Sequence, residues 1–170
     1  MNKITLTILL SIILGRINQV NAQTTCACCT NHHQQFDFWV GDWIVFDTLN
    51  TQIGENLIVK LEDQCIINEH WTSTTGSTGR SYNYFDSADS TWNQLWIDNQ
   101  GSNLKLKGKA ESNKMILKSA LLSGKKIDFY YNRITWTKIN NDEVTQVWEI
   151  LDKSDNILTM VFKGIYKRKL

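Results

Sequence analysis

The stretch WNQLWIDNQGSNLKLK, residues 92–107, contains the pattern that decides the fold. Its first half is rich in Trp, Leu and Ile, and Asn99-Gln100-Gly101 supplies turn residues. Its second half alternates Leu with Lys, which puts Leu104 and Leu106 on one face of an extended strand and the two lysines on the other. We therefore predict two β-strands joined by a short turn over these residues.

Short runs of β-branched and aromatic residues, separated by clusters of Gly, Asn, Asp and Ser, continue along the chain from Trp43. Such spacing is typical of an all-β barrel or sandwich. We expect strands at Trp43–Asp47, Glu55–Leu61, Cys65–Thr72, Arg80–Phe85, Trp92–Asp98, Asn103–Ala110, Lys114–Ser119, Ile127–Thr137, Val144–Leu151 and Ile157–Lys163.

Hairpin-length connections and the lack of a long helical period favour one all-β fold, an up-and-down antiparallel barrel of about ten strands. A closed barrel leaves no exposed strand edge, which suits a secreted β-protein. A short helical turn within residues 31–40 is expected to precede the barrel, with Phe36, Phe38 and Trp39 packing inward.

The first 22 residues read as an export signal rather than as part of the fold. Lys3 precedes an apolar run from Ile4 to Leu14, and Val20-Asn21-Ala22 resembles a cleavage site. The run is shorter than the ~20 residues that a membrane span needs. We predict a signal peptide over residues 1–22, a Cys/His-rich arm over 23–35 and the barrel over 36–170. The mature protein would be secreted or periplasmic, with no membrane span.

Composition and charge exclude several classes of protein. The 170 residues are 42% hydrophobic and 21% charged, which is unlike a disordered chain. The formal charge is +1, and removal of residues 1–22 would take away Lys3 and Arg16 and leave −1. Such a charge does not attract polyanions, so we expect no nucleic-acid partner.

Four cysteines suggest two disulfides in an oxidising compartment. A bond between the neighbours Cys28 and Cys29 would be strained, so we expect Cys65 to pair with one of Cys26, Cys28 and Cys29, and the other two to pair locally. With His32 and His33 the same cluster could instead bind zinc or copper(I), and free thiols are a further alternative. The spacing matches no standard zinc motif, and we predict no metal.

Several strands carry a face that mixes amides with large aromatic side chains. Gln94 and Trp96 share a face, as do Gln146 and Trp148. Such a mixture suits a cavity that holds a small, partly apolar ligand. Arg133 could bind a ligand carboxylate, or it could be a structural ion-pair partner. A register slip of one residue would invert these faces. The predicted ligand-binding residues are Asn83, Gln94, Trp96, Asp98, Arg133, Trp136, Gln146 and Trp148.

Recognisable catalytic motifs are absent from the sequence. There is no G-x-S-x-G elbow, HExxH, phosphate-binding loop or dinucleotide fingerprint. Glu69 and His70 are adjacent strand residues and therefore point to opposite faces. We assign no catalytic residue. The alternative is a cofactor-independent isomerase, cyclase or hydrolase whose acid or base is Asp98, Glu149 or Glu69, with Arg133 stabilising negative charge.

The opening motif resembles that of an uncharacterised family of exported, lipocalin-like bacterial proteins. The resemblance runs from Phe36-Asp37-Phe38-Trp39-Val40-Gly41-Asp42-Trp43 through Asn83-Tyr84-Phe85-Asp86, Trp92-x-Gln94-x-Trp96-x-Asp98, Arg133-Ile134-Thr135-Trp136 and Gln146-Val147-Trp148-Glu149 to Phe162-Lys163-Gly164-Ile165-Tyr166. It implies a calycin-type barrel, and a basic side chain of the last strand, Lys167 or Arg168, packed over Trp43.

The resemblance carries no settled activity. Haem-binding nitrobindins of similar size use a histidine near the C-terminus, whereas this chain has none after His70, and we predict no cofactor. The expected function is that of a secreted or periplasmic lipocalin-like protein that binds a small, partly apolar ligand inside the barrel. Besides the enzyme, a Trp-rich surface binder of glycan or protein is an alternative. An outer patch of Tyr82, Tyr84, Leu95 and Ile97 would favour a homodimer.

Overall fold

The structure, a computed structural model, describes residues 26–125 and 127–169. Within them, ten antiparallel strands form one closed barrel in which strands adjacent in sequence pair and β10 pairs with β1. This confirms the predicted all-β, up-and-down barrel. One 3-10 turn, Asp37–Trp39, precedes the strands β1 (Gly41–Phe46), β2 (Gln52–Leu61), β3 (Ile66–Ser73), β4 (Thr78–Asp86), β5 (Thr91–Asp98), β6 (Asn103–Glu111), β7 (Lys114–Lys118), β8 (Tyr131–Lys138), β9 (Glu143–Leu151) and β10 (Ile157–Arg168).

Two strands differ from the prediction by more than three residues at one end, and the others by three residues or fewer. β8 begins at Tyr131 rather than Ile127, because the residues before it form a small loop in which Leu122 and Tyr130 exchange backbone hydrogen bonds of 2.9 Å. β10 continues past its predicted end to Arg168, because its last residues pair with β1 and close the barrel. This pairing joins residues far apart in sequence, so the local pattern of apolar and polar residues does not predict it.

Alternation along the strands separates an inner from an outer face. In β6, Leu106 is buried while Lys105 and Lys107 are exposed, as the sequence predicts. Residues paired across a ladder share a face. Because Leu106 pairs with the buried Gln94, the inner face continues from β6 into β5. The inner faces of all ten strands therefore form the interior of the barrel.

One end of the barrel, which we call the arm end, is closed by the segment before β1. Phe36 and Trp39 are fully buried there, and their rings stack with centroids 5.0 Å apart. Phe36 also meets Trp136 of β8 edge to face at 5.2 Å. Phe38 is half-buried. The opposite end, the far end, carries the turns β1–β2, β3–β4 and β5–β6.

Two disulfides hold the arm, as predicted: Cys26 pairs with Cys29, and Cys28 pairs with Cys65. Cys65 lies in the connection between β2 and β3 at the arm end, so this bond fixes the arm to the barrel. All four thiols are consumed, which leaves none for a metal. Within residues 26–125 and 127–169, no group of three or more His, Cys, Asp and Glu side chains could hold a metal ion.

The predicted signal peptide, residues 1–22, lies outside the described residues, and so does the beginning of the predicted arm. In the part of the chain that the structure describes, no helix is long and apolar enough to cross a membrane. The export prediction therefore keeps its basis in the sequence.

Arg168 is the basic residue that packs over Trp43, with its guanidinium carbon 4.3 Å from the ring centroid. Lys167 contacts Phe46 instead. The Arg168 Nη1 also donates a hydrogen bond to the Val40 carbonyl. Gly41 has a φ of +155°, which side chains rarely adopt, and an added Cβ would lie 2.2 Å from that Nη1, so both the backbone and this contact favour glycine. The contact joins the first and last strands at the arm end.

Candidate functional site

Seven of the eight predicted ligand-binding residues lie on the inner face. Asn83 pairs directly with Gln94, and Trp136 pairs with Gln146, so each pair shares one face. Asn83 is fully buried and Gln94 is almost so. The inner faces predicted for β4, β5 and β9 are therefore the ones observed. The inner-face set is Asn83, Gln94, Trp96, Asp98, Trp136, Gln146 and Trp148.

Two members of this set, Trp136 and Asp98, make contacts that stabilise the fold. Trp136 is buried at the arm end, with its ring centroid 5.3 Å from that of Trp39. Asp98 ends β5 at the far end, where its Oδ1 accepts hydrogen bonds of 2.9 Å from the backbone N–H groups of Gln100 and Ser102. We assign both residues to structure rather than to ligand contact.

The prediction that Arg133 lines the interior is wrong. Arg133 lies between the buried residues Asn132 and Ile134, so its side chain is on the outer face of β8. There its Nη2 is 2.8 Å from Glu149 Oε2. Arg133 is the structural ion-pair partner that the alternative interpretation named, and Glu149 is likewise removed as an interior acid.

The middle of the barrel contains a chain of hydrogen-bonded polar side chains, which we call the polar belt: Gln94, Asn83, Ser81, Glu69, Asn56, Tyr166 and Gln146. On one side of Glu69, the Asn83 Nδ2 donates to Ser81 Oγ at 2.9 Å, and that hydroxyl donates to Glu69 Oε2 at 2.6 Å. Gln94 supports this side of the polar belt through a hydrogen bond of 2.7 Å from its Nε2 to Asn83 Oδ1. The hydrogen-bond donors on this side of the polar belt therefore point toward Glu69.

The other side of the polar belt also converges on Glu69. Asn56 Nδ2 donates to Glu69 Oε1 at 2.7 Å and lies 3.4 Å from the Tyr166 hydroxyl. That hydroxyl donates to Gln146 Oε1. The Asn56 Oδ1, by contrast, is buried without a hydrogen-bond partner. An unpaired buried carbonyl is costly unless something else donates to it.

Glu69 is a carboxyl group buried inside the barrel with only 5% of its surface exposed. Burial raises its pKa from 4.5 to about 7, and the hydrogen bonds from Ser81 and Asn56 oppose that rise. No Lys or Arg of the described residues forms a salt bridge with it. Burial raises the pKa of Tyr166 well above its ordinary value, so this phenol stays neutral.

Glu69, Asn56 and Tyr166 are absent from the predicted set. Glu69 belongs only to the enzyme alternative, although it alternates with Ile67 and Trp71 in an otherwise inward-facing series. That alternation is the sequence signal that identifies it as an inner-face residue. Asn56 stands between Gly54 and Ile58 on the inner face of β2 and carries no comparable signal in the sequence.

Aromatic rings line the interior toward the far end. The Trp96 ring lies over Gly79, where an added Cβ would be 2.2 Å from Trp96 Cζ2. The Trp71 ring covers Gly54 in the same way, with an added Cβ 2.4 Å from Trp71 Cη2. Since these glycines lack side chains, both indoles lie against the barrel wall rather than across the interior.

Two further aromatic residues complete this region. Phe162 meets Trp71 edge to face with ring centroids 6.2 Å apart, and Trp148 Nε1 donates to Asn132 Oδ1 at 2.8 Å. Trp71, Trp148 and Phe162 are half-buried, unlike the fully buried aromatics at the arm end. The interior is therefore reached by solvent from the far end.

The outer face carries the expected apolar patch. Tyr82 pairs with Leu95, and Tyr82, Tyr84 and Ile97 are each close to half exposed. A shallow depression of about 380 Å³ on this face is lined by Tyr82 and Ile97 together with His70, Thr78, Gly79, Arg80, Asp98 and Asn99. The homodimer remains a prediction.

A second depression, of about 780 Å³, lies at the arm end between the arm and the loops. Its lining residues are Gln34, Asp37, Phe38, Ser112, Asn113, Lys138, Asn141 and Arg168. Neither depression contains a member of the polar belt.

The chain matches no model of a known protein family, and no curated protein is similar to it in sequence.

Proposed function

We propose that the protein binds a small, partly apolar molecule inside the barrel, at the far end. The single observation that carries this proposal is the pairing of a hydrogen-bonding belt with half-buried aromatic rings on the same inner face. Apolar walls with a few polar groups are the usual composition of small-molecule sites. Export, and action in the periplasm or outside the cell, are part of the proposal and are supported by the two disulfides.

The route of entry follows from the closure of the arm end. Phe36 and Trp39 fill that end, and the Cys28–Cys65 disulfide fixes the segment that covers it. At the far end, Trp71 and Trp148 remain partly accessible. A ligand that enters there meets aromatic faces first and the polar belt deeper in.

Binding can be tested with N-phenyl-1-naphthylamine, a neutral probe that fluoresces in apolar surroundings. We expect one saturable site per chain, and competition by small apolar molecules. Gly79→Leu would push the Trp96 ring toward the barrel axis and weaken binding at least tenfold. Tyr84→Ala, on the outer face, is the matched control and should bind the probe as the wild type does. Equal binding by both variants, each shown to be folded by circular dichroism, would refute the interior site.

A second candidate function is proton-transfer catalysis, which the buried carboxyl of Glu69 favours. Its raised pKa, about 7, suits a group that takes a proton from a bound carbon acid and returns it near neutral pH. The test is exchange of α-protons in D₂O for a panel of small ketones, followed by NMR. Exchange that is catalysed by the wild type and lost in Glu69→Gln supports the enzyme. Ketones that bind without exchanging would contradict it.

A further inference from the structure

Near Glu69, the polar belt has more hydrogen-bond acceptors than donors. Glu69 and Asn56 are both buried, and the Asn56 Nδ2 lies 2.7 Å from Glu69 Oε1. The Oδ1 of the same amide is buried without a donor. The Glu69 carboxyl group, which has no cation partner among the described residues, is therefore hydrogen-bonded to the same Asn56 amide whose oxygen lacks a donor.

The groups packed around Glu69 do not supply the missing positive charge. Ser81 and Asn83 face it from β4, Asn56 and Ile58 from β2, and the neutral Tyr166 from β10. On the inner face of β2, Lys60 is already paired with Asp37 at 2.6 Å. On β10, Arg168 is held against Trp43. A buried carboxylate is stable only when it is paired, and residues 26–125 and 127–169 supply no cation to Glu69, so a cationic ligand would be the partner of its ionised form.

We propose that the interior site takes a primary amine on an apolar or aromatic body, with its ammonium group against Glu69 and Asn56 Oδ1. This inference rests on the proposed ligand site and names the chemistry of its guest. An ammonium group has three N–H donors and no acceptor, which matches an acceptor-rich site. Hydrogen bonds between ionised partners are also stronger than neutral ones.

The position of the aromatic rings fits such a molecule. Trp71 follows Glu69 by two residues on the same face of β3, toward the far end. Trp96 pairs directly with Ser81, the hydroxyl that donates to Glu69. A body attached to the ammonium would extend along these two indoles, and a cation near an indole face gains further attraction.

Binding of the amine is coupled to loss of a proton. Glu69 holds a proton below pH 7, because burial raises its pKa to about 7, and must release it to pair with the ammonium. Affinity should therefore rise about tenfold between pH 6 and pH 8, since the ionised fraction of a group with this pKa rises by that factor. At pH 6, close to one proton should leave for each amine bound.

The experiment is calorimetry on the disulfide-bonded protein with 2-phenylethylamine, compared with the neutral 2-phenylethanol and the anionic 3-phenylpropionate. We expect the amine to bind tightest and, at pH 6, heats that differ between buffers of different ionisation enthalpy. Glu69→Gln should abolish both the pH dependence and the preference for amine. Glu55→Gln, an exposed carboxylate on β2, is the matched control and should change neither.

The outcomes separate this inference from the proposed function. If the alcohol binds as tightly as the amine at both pH values, or no proton is released at pH 6, the inference is overturned while the interior site stands. If N-phenyl-1-naphthylamine binds inside the barrel and 2-phenylethylamine does not bind, the inference is likewise overturned and the interior site likewise stands. The proton count on the wild type decides the question even if Glu69→Gln fails to fold.

Discussion

The Ser81 hydroxyl donates a hydrogen bond of 2.6 Å to Glu69 Oε2 in the interior of the barrel. Asn56 donates to the other carboxyl oxygen, so the described part of the chain supplies two donors and no cation to this group. A buried acid in such surroundings is a source of pH dependence, and its chemistry sets what the interior can bind.

The stability of the protein should fall as the pH rises from 4.5 to about 7. The pKa of Glu69 is raised from 4.5 to about 7, so the folded state holds its proton more tightly than the unfolded state. The contribution is present below pH 4.5 and is lost as pH rises to 7. Relative to Glu69→Gln, the free energy of unfolding of the wild type should drop by ~3 kcal/mol over this window. Urea unfolding at a series of pH values measures it, and parallel curves for the two proteins would contradict the assignment.

The disulfides should contribute unequally. Cys28–Cys65 closes a loop of 37 residues, whereas Cys26–Cys29 spans three. Replacing the first pair by serine should lower the free energy of unfolding by about 4 kcal/mol, and replacing the second by less than half of that, since the entropy of loop closure grows with loop length. Thermal and urea unfolding of the two double variants make the comparison. Equal losses would show that the arm is not fixed through Cys65.

Gly79 and Trp96 should be energetically coupled. A methyl group at Gly79 would overlap the indole, so Gly79→Ala should cost ~1–3 kcal/mol of stability. In Trp96→Leu the overlap is absent, and the same glycine substitution should then cost little. A double-mutant cycle by urea unfolding measures the coupling. Additive effects would mean that the indole does not lie over this glycine.

The ion pair between Arg133 and Glu149 on the outer face should contribute little to stability or to ligand binding. Arg133 and Glu149 lie on the outer face and keep 29% and 15% of their side-chain surfaces exposed, so water reaches the pair and screens part of its attraction. Glu149→Gln should change the free energy of unfolding by less than ~1 kcal/mol. Binding of N-phenyl-1-naphthylamine should stay at the wild-type level. A large loss of binding would return Arg133 to the site.

Much of the barrel could be predicted from the sequence because its information is local. Turn residues and period-two alternation mark each hairpin, and Gln94 with Trp96 reads correctly as one inner face. Arg133 and Trp136 could not both face inward, because residues three apart in a strand point to opposite faces. The spacing of Arg133 and Trp136 in the sequence therefore excludes one of the two from the inner face.

The centre of the site was harder to predict for a non-local reason. The alternation of Ile67, Glu69 and Trp71 places Glu69 on the inner face of β3, but its residue type argues against that placement, because acids are rarely buried. Its burial depends on β10 closing the barrel beside β1, which brings Tyr166 close to Asn56, 110 residues away in sequence. No hydrophobic period in β2 or β3 records that contact.

The indole N–H signals of the seven tryptophans in an ¹⁵N-labelled sample, followed during titration with N-phenyl-1-naphthylamine, give the most direct test of an interior ligand site. We predict that the signals of Trp71, Trp96 and Trp148 shift together with one dissociation constant, while that of Trp43, held under Arg168 at the arm end, stays in place. A saturable titration that leaves those three signals unmoved would contradict an interior ligand site.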